Sequence, residues 1–265
     1  MCELLGMSSA RPVALAAMLS AFARRGGEAA DNPDGWGIYY RRQDEFALEK
    51  APEAGAHSPR LAQLVRSLQA EMFIAHVRKA NPPTALTLEN THPFLRHCCG
   101  RQWGFAHNGK VEAAMEADSF CRTEECQTDG VTDSEQIFCY LLQEIARAFP
   151  ADAAATGTEW FAALAAASRL VATHGQFNFL LTDGHLLIAH AHDRLHGSTL
   201  TLGGSAMTVV ASEPLPFATD WRPLGPHRLL VLRQGVTLAS LATAPDTAQG
   251  RKPHGACINI STKQL

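Results

Sequence analysis

The sequence predicts an α+β fold in which antiparallel sheets are layered with helices. Strand-like runs come first along the chain, two or three helical patterns occupy the middle, and short apolar strands return afterwards. Such grouping favours antiparallel pairing, because a parallel sheet requires strands and helices in alternation. Hydrophobic residues make up 46% of the 265, which is enough for a substantial core. Since no linker-like segment interrupts the body, we expect one domain over residues 1–265 with a polar tail from about Thr243.

The N-terminal segment combines a strand with an apolar helix. CELLGM reads as a strand, and residues 13–23 read as a buried helix with Pro12 in the position that proline favours at a helix start. The same apolar run ends in an A-x-A pattern, which is typical of a secretory signal peptide. Because Glu3 precedes the single early arginine, Arg11, the buried helix is the favoured interpretation.

The remaining elements follow from apolar periodicity. The runs GWGIYYRR and FALEKA are expected to pair as a hairpin. Apolar residues at helical spacing predict helices that begin at Ser58, at Thr132 and at about Glu159. Further strands are predicted at 71–78, at 102–107 and in FNFLLTDG, HLLIAHAHD, AMTVVASEPL and HRLLVLRQG.

Composition excludes several classes of function. Lysine and arginine number 23 against 26 aspartate and glutamate, a net charge of −3. A nucleic-acid or anionic-membrane binder normally shows a basic excess. No apolar stretch approaches the roughly 20 residues of a membrane span. Seven cysteines, odd in number and widely spaced, favour a reducing cytoplasm over a secreted disulfide framework.

Cys2 is the most informative position in the chain. Removal of Met1 before this small residue would place a thiol beside a free α-amino group, whose pKa lies far below that of a lysine. Nucleophile and base would then belong to one residue. Taken alone, Cys2 is more simply explained as a small residue early in a strand.

Four further motifs each have an ordinary structural explanation when taken singly. Arg78 in AHVR could be a surface charge at a strand end, Asn108-Gly109 in AHNG is a common hairpin turn, and Asp133 in TDSE could cap a helix. LENTHPF lies between them. In order with MCELLGM and NPDGWGI, these motifs resemble the class II glutamine amidotransferase domain of the N-terminal nucleophile hydrolase superfamily, in its stand-alone bacterial type.

This resemblance implies a fold and a mechanism. The fold would be a four-layer αββα sandwich of two antiparallel sheets flanked by helices. The thiolate of Cys2 would attack the side-chain amide of glutamine, giving a γ-glutamyl thioester and ammonia. Asn108, through its side-chain amide, and Gly109, through its backbone N–H, match the oxyanion hole. Arg78 matches the group that binds the substrate carboxylate, and Asp133 matches the group that binds its ammonium. His92 and His107 match structural supports.

The substrate and the ammonia acceptor stay open on the sequence. After Arg78 the chain reads Lys79-Ala80-Asn81-Pro82, whereas synthase-linked members carry an aromatic residue and then a threonine–histidine pair. Nothing resembles a second catalytic domain, so an acceptor synthase would be a separate chain. The favoured function is a glutamine amidotransferase or glutaminase. The alternatives are a hydrolase of larger γ-glutamyl compounds and a glutamine-binding module without turnover.

Three groups of histidines and cysteines bear some likeness to metal sites. They are His92 with His97, Cys98 and Cys99; Cys121 with Cys126; and His190 with His192. Adjacent cysteines differ from the usual paired spacing of zinc ligands, and the second group lacks another ligand pair. Two histidines on one strand face are more simply explained by a partly exposed strand. The sequence therefore predicts neither a metal nor a cofactor.

Overall fold

Two antiparallel sheets face each other in the computed structural model, and helices cover their outer faces. The structure describes residues 1–43, 45–82, 84–111, 127–149, 158–202 and 204–245. This arrangement is the expected four-layer αββα sandwich. The Cys121 and Cys126 pair and most of the expected polar tail lie outside the described residues.

The first sheet brings the N-terminal strand to its centre. Its strands are β1 (Glu3–Ala14), β2 (Trp36–Arg42), β3 (Glu45–Ala51), β4 (Gln69–Val77), β9 (His196–Leu202), β10 (Ser205–Ala211) and β11 (Arg222–Pro223). Across the sheet they run in the order β11-β9-β10-β1-β4-β2-β3. The start of β1 therefore lies between β10 and β4, where both neighbours can contribute to a site.

The second sheet is built from the remaining strands. These are β5 (Phe94–Cys98), β6 (Arg101–Val111), β7 (Gly175–Thr182), β8 (Leu187–Ala191), β12 (Arg228–Arg233) and β13 (Val236–Ala242). Their order is β13-β12-β8-β7-β6-β5. The GWGIYYRR and FALEKA runs form the expected hairpin, β2 with β3, in the first sheet.

Two helices pack on each sheet. The pair α1 (Ala16–Arg24) and α2 (Pro59–Ser67) covers the first sheet, and the pair α3 (Asp133–Ala148) and α4 (Glu159–Ala172) covers the second. The helix starts predicted from Ser58 and Thr132 are confirmed, because the Ser58 side chain accepts from Leu61 N and the Thr132 side chain accepts from Glu135 N. Such caps satisfy backbone donors that the first helical turn leaves without partners.

The space between the sheets is filled by apolar side chains of both. Members of this layer include Leu4, Tyr39, Ile74, Ala106, Leu180, Leu187 and Val210. The sheets approach closely at Gly104, where an added Cβ would lie 2.5 Å from the Tyr39 ring. Complete burial of a large apolar side chain contributes about 1.5–3 kcal/mol to folding, so this layer holds the two sheets in a fixed relation.

Several sequence predictions are corrected by the structure. Pro12 lies inside β1, and the first helix begins at Ala16, because the strand continues past an irregularity in its pairing between Ser8 and Val13. Strand β5 lies between the strands predicted at 71–78 and 102–107, in a stretch for which no strand was predicted. Thr132 and Glu135 have the spacing of a capping box, in which each side chain would accept from the backbone of the other residue; this box is only half formed, because Glu135 accepts from Asp129 N and Gly130 N.

The segment around His190 is also corrected. Strand β8 is buried along its whole length, so it is not the partly exposed strand expected there. His190 Nδ1 lies 2.6 Å from Phe177 O and its Nε2 lies 2.8 Å from Thr243 Oγ1. Thr243 is itself buried, so the folded body extends through that residue.

The state of the cysteines and the length of the helices relate to the reducing cytoplasm expected from the sequence. Cys2, Cys98 and Cys99 are free thiols, whereas Cys139 is disulfide-bonded, which was not expected from the sequence. No helix in the described part of the chain is long and apolar enough to cross a membrane.

Candidate active site

Strand register places Cys2 beside Arg78. Glu3 of β1 pairs with Val77 of β4, and Trp36 of β2 pairs with the same Val77. One step further along each strand, Cys2, Arg78 and Gly35 meet at one end of the sheet. Arg78 N donates to Gly35 O over 2.8 Å, and Asp34 N donates to Arg78 O over 3.0 Å. The NPDG segment, residues 32–35, thus fixes the backbone of Arg78 beside Cys2.

The thiol of Cys2 is held by the Lys79 peptide. Lys79 N donates to Cys2 Sγ over 3.2 Å, and Sγ lies 3.3 Å from Lys79 O. Burial raises the pKa of the Cys2 thiol, while the Lys79 backbone hydrogen bond and the positive charge of Arg78 oppose that rise. Because the thiolate is the reactive form, a nucleophilic role for Cys2 would require a nearby base.

Arg78 is a buried guanidinium, 4% exposed. Both of its Nη atoms donate to Ala85 O over 3.4 Å, which is long for a charged donor. Within the described ranges no carboxylate oxygen lies within 4.0 Å of it. Burial lowers the pKa of Arg78, although an arginine stays charged. An anionic ligand group would therefore stabilise this buried charge.

Asn108 and Gly109 lie inside β6 and do not form the hairpin turn that their sequence suggests. Asn108 is fully buried, and its Nδ2 donates to Ser212 Oγ over 3.1 Å. Its Oδ1 has no hydrogen-bond partner in the described part of the chain. At Gly109, φ is +149° and an added Cβ would lie 1.9 Å from Gln176 O. Only glycine fits there, because β7 passes so close.

Asp133 begins α3 and is tied to the end of β6. Its Oδ2 accepts from Val111 N over 3.0 Å, and its Oδ1 accepts from Ser134 N over 2.7 Å. Thr132 provides the side-chain cap of the helix, so Asp133 is not needed for that role. His107 connects the same region, since its Nδ1 lies 2.9 Å from Ser134 Oγ.

His92, which was predicted to be a structural support, is buried and does not form a metal site with His97. The His92 ring is buried against His76 and Phe94, at centroid distances of 4.3 and 4.5 Å. His97 is exposed, so it does not share a site with His92. In the ranges that the structure describes, no group of three or more histidine, cysteine, aspartate or glutamate side chains is arranged to hold a metal ion.

Two polar networks at this site were missed by sequence reasoning. Glu3 is buried and accepts from Arg25 Nε and Nη2 over 2.8 and 2.7 Å, which anchors the start of β1. The other network contains Ser212, whose hydroxyl accepts from Leu4 N over 3.0 Å and from Asn108. The available signal for Ser212 was a polar residue directly after the apolar strand AMTVVA.

Asn178 organises the loop that contacts the N-terminus. Its Oδ1 accepts the backbone N–H groups of His192, Asp193 and Arg194 over 2.9 to 3.2 Å. Arg194 Nη1 lies 3.0 Å from Met1 Sδ. Removal of Met1 would therefore expose the α-amino group of Cys2 beside a loop that is fixed from the second sheet.

The chain belongs to the class II glutamine amidotransferase family. The family model "Glutamine amidotransferases class-II" matches residues 1–201. These residues contain every strand and helix that contributes a predicted site residue, and the match confirms the resemblance that the motifs suggested.

Relatives and solved structures agree with this membership. "Putative glutamine amidotransferase YafJ" of Escherichia coli (strain K12) is 32% identical, over 89% of this chain and 100% of that protein. The crystal structure of a predicted glutamine amidotransferase from Pseudomonas aeruginosa PA01 superposes with a TM-score of 0.68 at 28% identity, covering 90% of this chain and 100% of that one. Glutamine phosphoribosylpyrophosphate amidotransferase of B. subtilis, 19% identical, shares the fold with a TM-score of 0.65, over 92% of this chain and 49% of its own.

Proposed function

We propose that the chain hydrolyses the side-chain amide of glutamine with Cys2 as nucleophile, and supplies the released ammonia to an acceptor. The observation that supports this most directly is the position of the Cys2 thiol. It is held by the Lys79 peptide beside the buried Arg78. The proposed nucleophile therefore lies next to a cation that can bind the carboxylate of an amino acid.

The proposed reaction uses groups of this chain alone. Once Met1 is removed, the α-amino group of Cys2 accepts the thiol proton, and the thiolate attacks the amide carbon. Asn108 Nδ2 and Gly109 N–H stabilise the oxyanion, and one such donor contributes about 3–4 kcal/mol. The same amine protonates the departing nitrogen, which leaves as ammonia. Water then hydrolyses the γ-glutamyl thioester to glutamate and restores the thiol.

Substrate binding is assigned to two charged residues. Arg78 offers two Nη donors to the α-carboxylate, and its contacts with Ala85 O are long enough to be exchanged for that partner. Asp133 is assigned to the α-ammonium. Because its oxygens already accept backbone N–H groups, its orientation is set before glutamine arrives.

Two features of the setting belong to the same proposal. A separate synthase chain would consume the ammonia, and we infer a cytoplasmic location. The free thiols of Cys2, Cys98 and Cys99 support a reducing compartment, and the disulfide at Cys139 is the observation against it.

A second candidate is a hydrolase of larger γ-glutamyl compounds. Lys79 Nζ pairs with Asp31 Oδ2 over 2.9 Å, at the position where synthase-linked members carry an aromatic residue. A charged pair next to Arg78 favours a substrate with a polar group beyond the scissile amide.

The experiment compares Met1-free wild type with Cys2→Ala. We expect wild type to release equal amounts of glutamate and ammonia from glutamine, and Cys2→Ala to release neither. Cys98→Ala, which removes another half-buried free thiol, should retain activity. Full activity in Cys2→Ala would refute the proposal. A large preference for γ-glutamyl peptides over glutamine would select the second candidate, and glutamine binding without any product would indicate a binding module.

A further inference from the structure

Ser212 joins the strand of the nucleophile to the expected oxyanion hole. It lies directly after β10, is fully buried, and exchanges two hydrogen bonds with Leu4. Ser212 N donates to Leu4 O and Leu4 N donates to Ser212 Oγ, both over 3.0 Å. The same Oγ lies 3.1 Å from the amide nitrogen of Asn108 in the opposite sheet. One hydroxyl thus contacts both halves of the site.

With the Asn108 amide in this orientation, two polar groups around the Ser212 hydroxyl lack hydrogen-bond partners in the described part of the chain. Ser212 Oγ accepts two N–H groups, while no acceptor for its own proton is found among the described residues. At the same time Asn108 Oδ1 is buried and has no donor in those residues. A buried polar group without a hydrogen-bond partner destabilises the fold. One change accounts for both the Ser212 proton and Asn108 Oδ1.

Exchanging the two ends of the Asn108 amide gives both the Ser212 proton and Asn108 Oδ1 a hydrogen-bond partner. The oxygen and nitrogen of an amide have nearly the same shape, and the surrounding hydrogen bonds decide which is which. With the ends exchanged, the Ser212 hydroxyl donates to Asn108 Oδ1 and still accepts from Leu4 N. The amide nitrogen then occupies the position without a protein partner, and its N–H groups are available to a ligand.

We propose that Ser212 is a positioning residue that orients the Asn108 amide for catalysis. Its hydroxyl donates to Asn108 Oδ1 and so directs Nδ2 toward the oxyanion of the tetrahedral intermediate. Its bond to Leu4, two residues after Cys2, fixes the distance between nucleophile and oxyanion hole. This inference rests on the proposed amide hydrolysis. Ser212 itself contacts no reacting atom.

The test measures glutamine hydrolysis by Met1-free Ser212→Ala. We expect kcat to fall about 10- to 100-fold with KM within twofold of wild type, because an oxyanion contact acts in the transition state alone. Ser198→Ala is the matched control, because it removes a buried hydroxyl without a partner from the adjacent β9. It should leave kcat unchanged. An unchanged kcat in Ser212→Ala would overturn the inference.

A double-mutant cycle separates orientation of Asn108 from a general structural role. In an Asn108→Ala background, Ser212→Ala should change kcat by less than twofold, since there is no amide left to orient. If the two effects multiply instead, Ser212 acts independently of Asn108 and the inference is wrong. Ser212→Cys keeps a small side chain with a weak donor and should give an intermediate kcat, and it replaces Ser212→Ala in the cycle if the alanine variant does not fold.

The failure of this inference is distinguishable from the failure of the proposed function. If wild type neither hydrolyses glutamine nor reacts at Cys2 with a glutamine-like diazoketone, the proposed function fails and the inference fails with it. If wild type does both while Ser212→Ala has an unchanged kcat, the positioning role alone is refuted.

Discussion

At the scale of single residues, the proposed chemistry depends on how the half-buried thiol of Cys2 loses its proton. The Lys79 peptide and the charge of Arg78 favour the thiolate of Cys2, but burial outweighs them and raises the pKa of that thiol. In the proposed mechanism the base belongs to the same residue, since cleavage of the peptide bond to Met1 makes the α-amino group of Cys2 available.

Alkylation of Cys2 should therefore depend steeply on pH when the amine is blocked. In an N-terminally tagged chain, we expect the rate of Cys2 modification by iodoacetamide to rise about tenfold per pH unit from pH 7 to 9, without a plateau, because only the thiolate reacts. Site-resolved mass spectrometry measures this rate. A plateau below pH 8 would show that the thiol is ionised far more readily than its burial implies.

Arg78 and a lysine should not be equivalent. In Arg78→Lys we expect KM for glutamine to rise at least tenfold, while kcat changes less than threefold, because one ammonium cannot form the two parallel bonds of a guanidinium to a carboxylate. Steady-state kinetics of ammonia release measure both constants. Lys79→Arg, next in the chain, is the control. An unchanged KM in Arg78→Lys would remove Arg78 from substrate binding.

Sequence reasoning at this scale identified residue types but not their connections. Cys2, Arg78, Asn108, Gly109 and Asp133 were selected from motifs, and hydrogen bonds join the strands and the helix at which they lie. Their supporting contacts join residues far apart in the chain. The bond between Ser212 and Asn108 crosses from one sheet to the other, so it depends on strand order that no local pattern encodes.

At the scale of elements, the start of α3 anchors one side of the site. Glu135 is buried, accepts from the backbone of Asp129 and Gly130 over 2.9 and 2.8 Å, and forms an ion pair with Arg96. The helix start is therefore fixed to the loop before it and to β5. This arrangement holds Asp133 against the end of β6.

Loss of the Glu135 charge should destabilise the fold. Glu135→Gln removes a buried carboxylate that accepts two backbone N–H groups and pairs with the partly buried Arg96, and we expect the free energy of unfolding to fall by about 3 kcal/mol. Urea unfolding measures it through the transition midpoint, with the slope unchanged. Glu144→Gln is the control on the same helix, where its pair with Arg147 is more exposed, and it should cost no more than about 0.5 kcal/mol. Equal losses in the two variants would contradict this account.

Periodicity predicted the helices and most strands, since apolar spacing reports directly on a buried face. It was misleading where tertiary pairing prevails. Pro12 suggested a helix start, yet neighbouring β4 extends β1 past it. Strand β5 was hidden in a polar stretch because only Phe94 of its five residues is buried, which leaves little alternation to detect.

At the scale of the whole molecule, the fold buries several neutral histidines. His76, His92, His107 and His190 are all buried, and desolvation lowers the pKa of each, to about 3 for His76 and His190. Below about pH 6.5 the unfolded chain binds protons that the folded chain does not. Stability from these residues is therefore present above that pH and is lost as the pH falls toward 3.

Acid should therefore weaken the fold progressively. Between pH 6.5 and 5.5 we expect the free energy of unfolding to fall by about 1 kcal/mol for each of His76 and His190, measured by urea titration at each pH. His190→Gln should make the decline shallower by about that amount. The exposed His97→Gln should leave it unchanged. A pH-independent stability over this range would contradict the burial of neutral rings.

The overall architecture could be predicted only in part from residue patterns. Grouped strands and helices indicated layered antiparallel sheets, while the four-layer αββα order came from the resemblance to the family. The order of strands depends on which edges meet across the core, such as the Gly104 contact with Tyr39. That contact joins β6 to β2, and no pattern in the sequence of either strand predicts it.

The central claim is that Cys2, freed from Met1, is the nucleophile for a glutamine amide. The most direct test is the intact mass of the purified chain before and after exposure to a glutamine-like diazoketone, followed by peptide mapping. We predict loss of one methionine and a single adduct on Cys2, with none on Cys98 or Cys99. A Met1-free chain that gains no adduct, or gains it elsewhere, would contradict the claim.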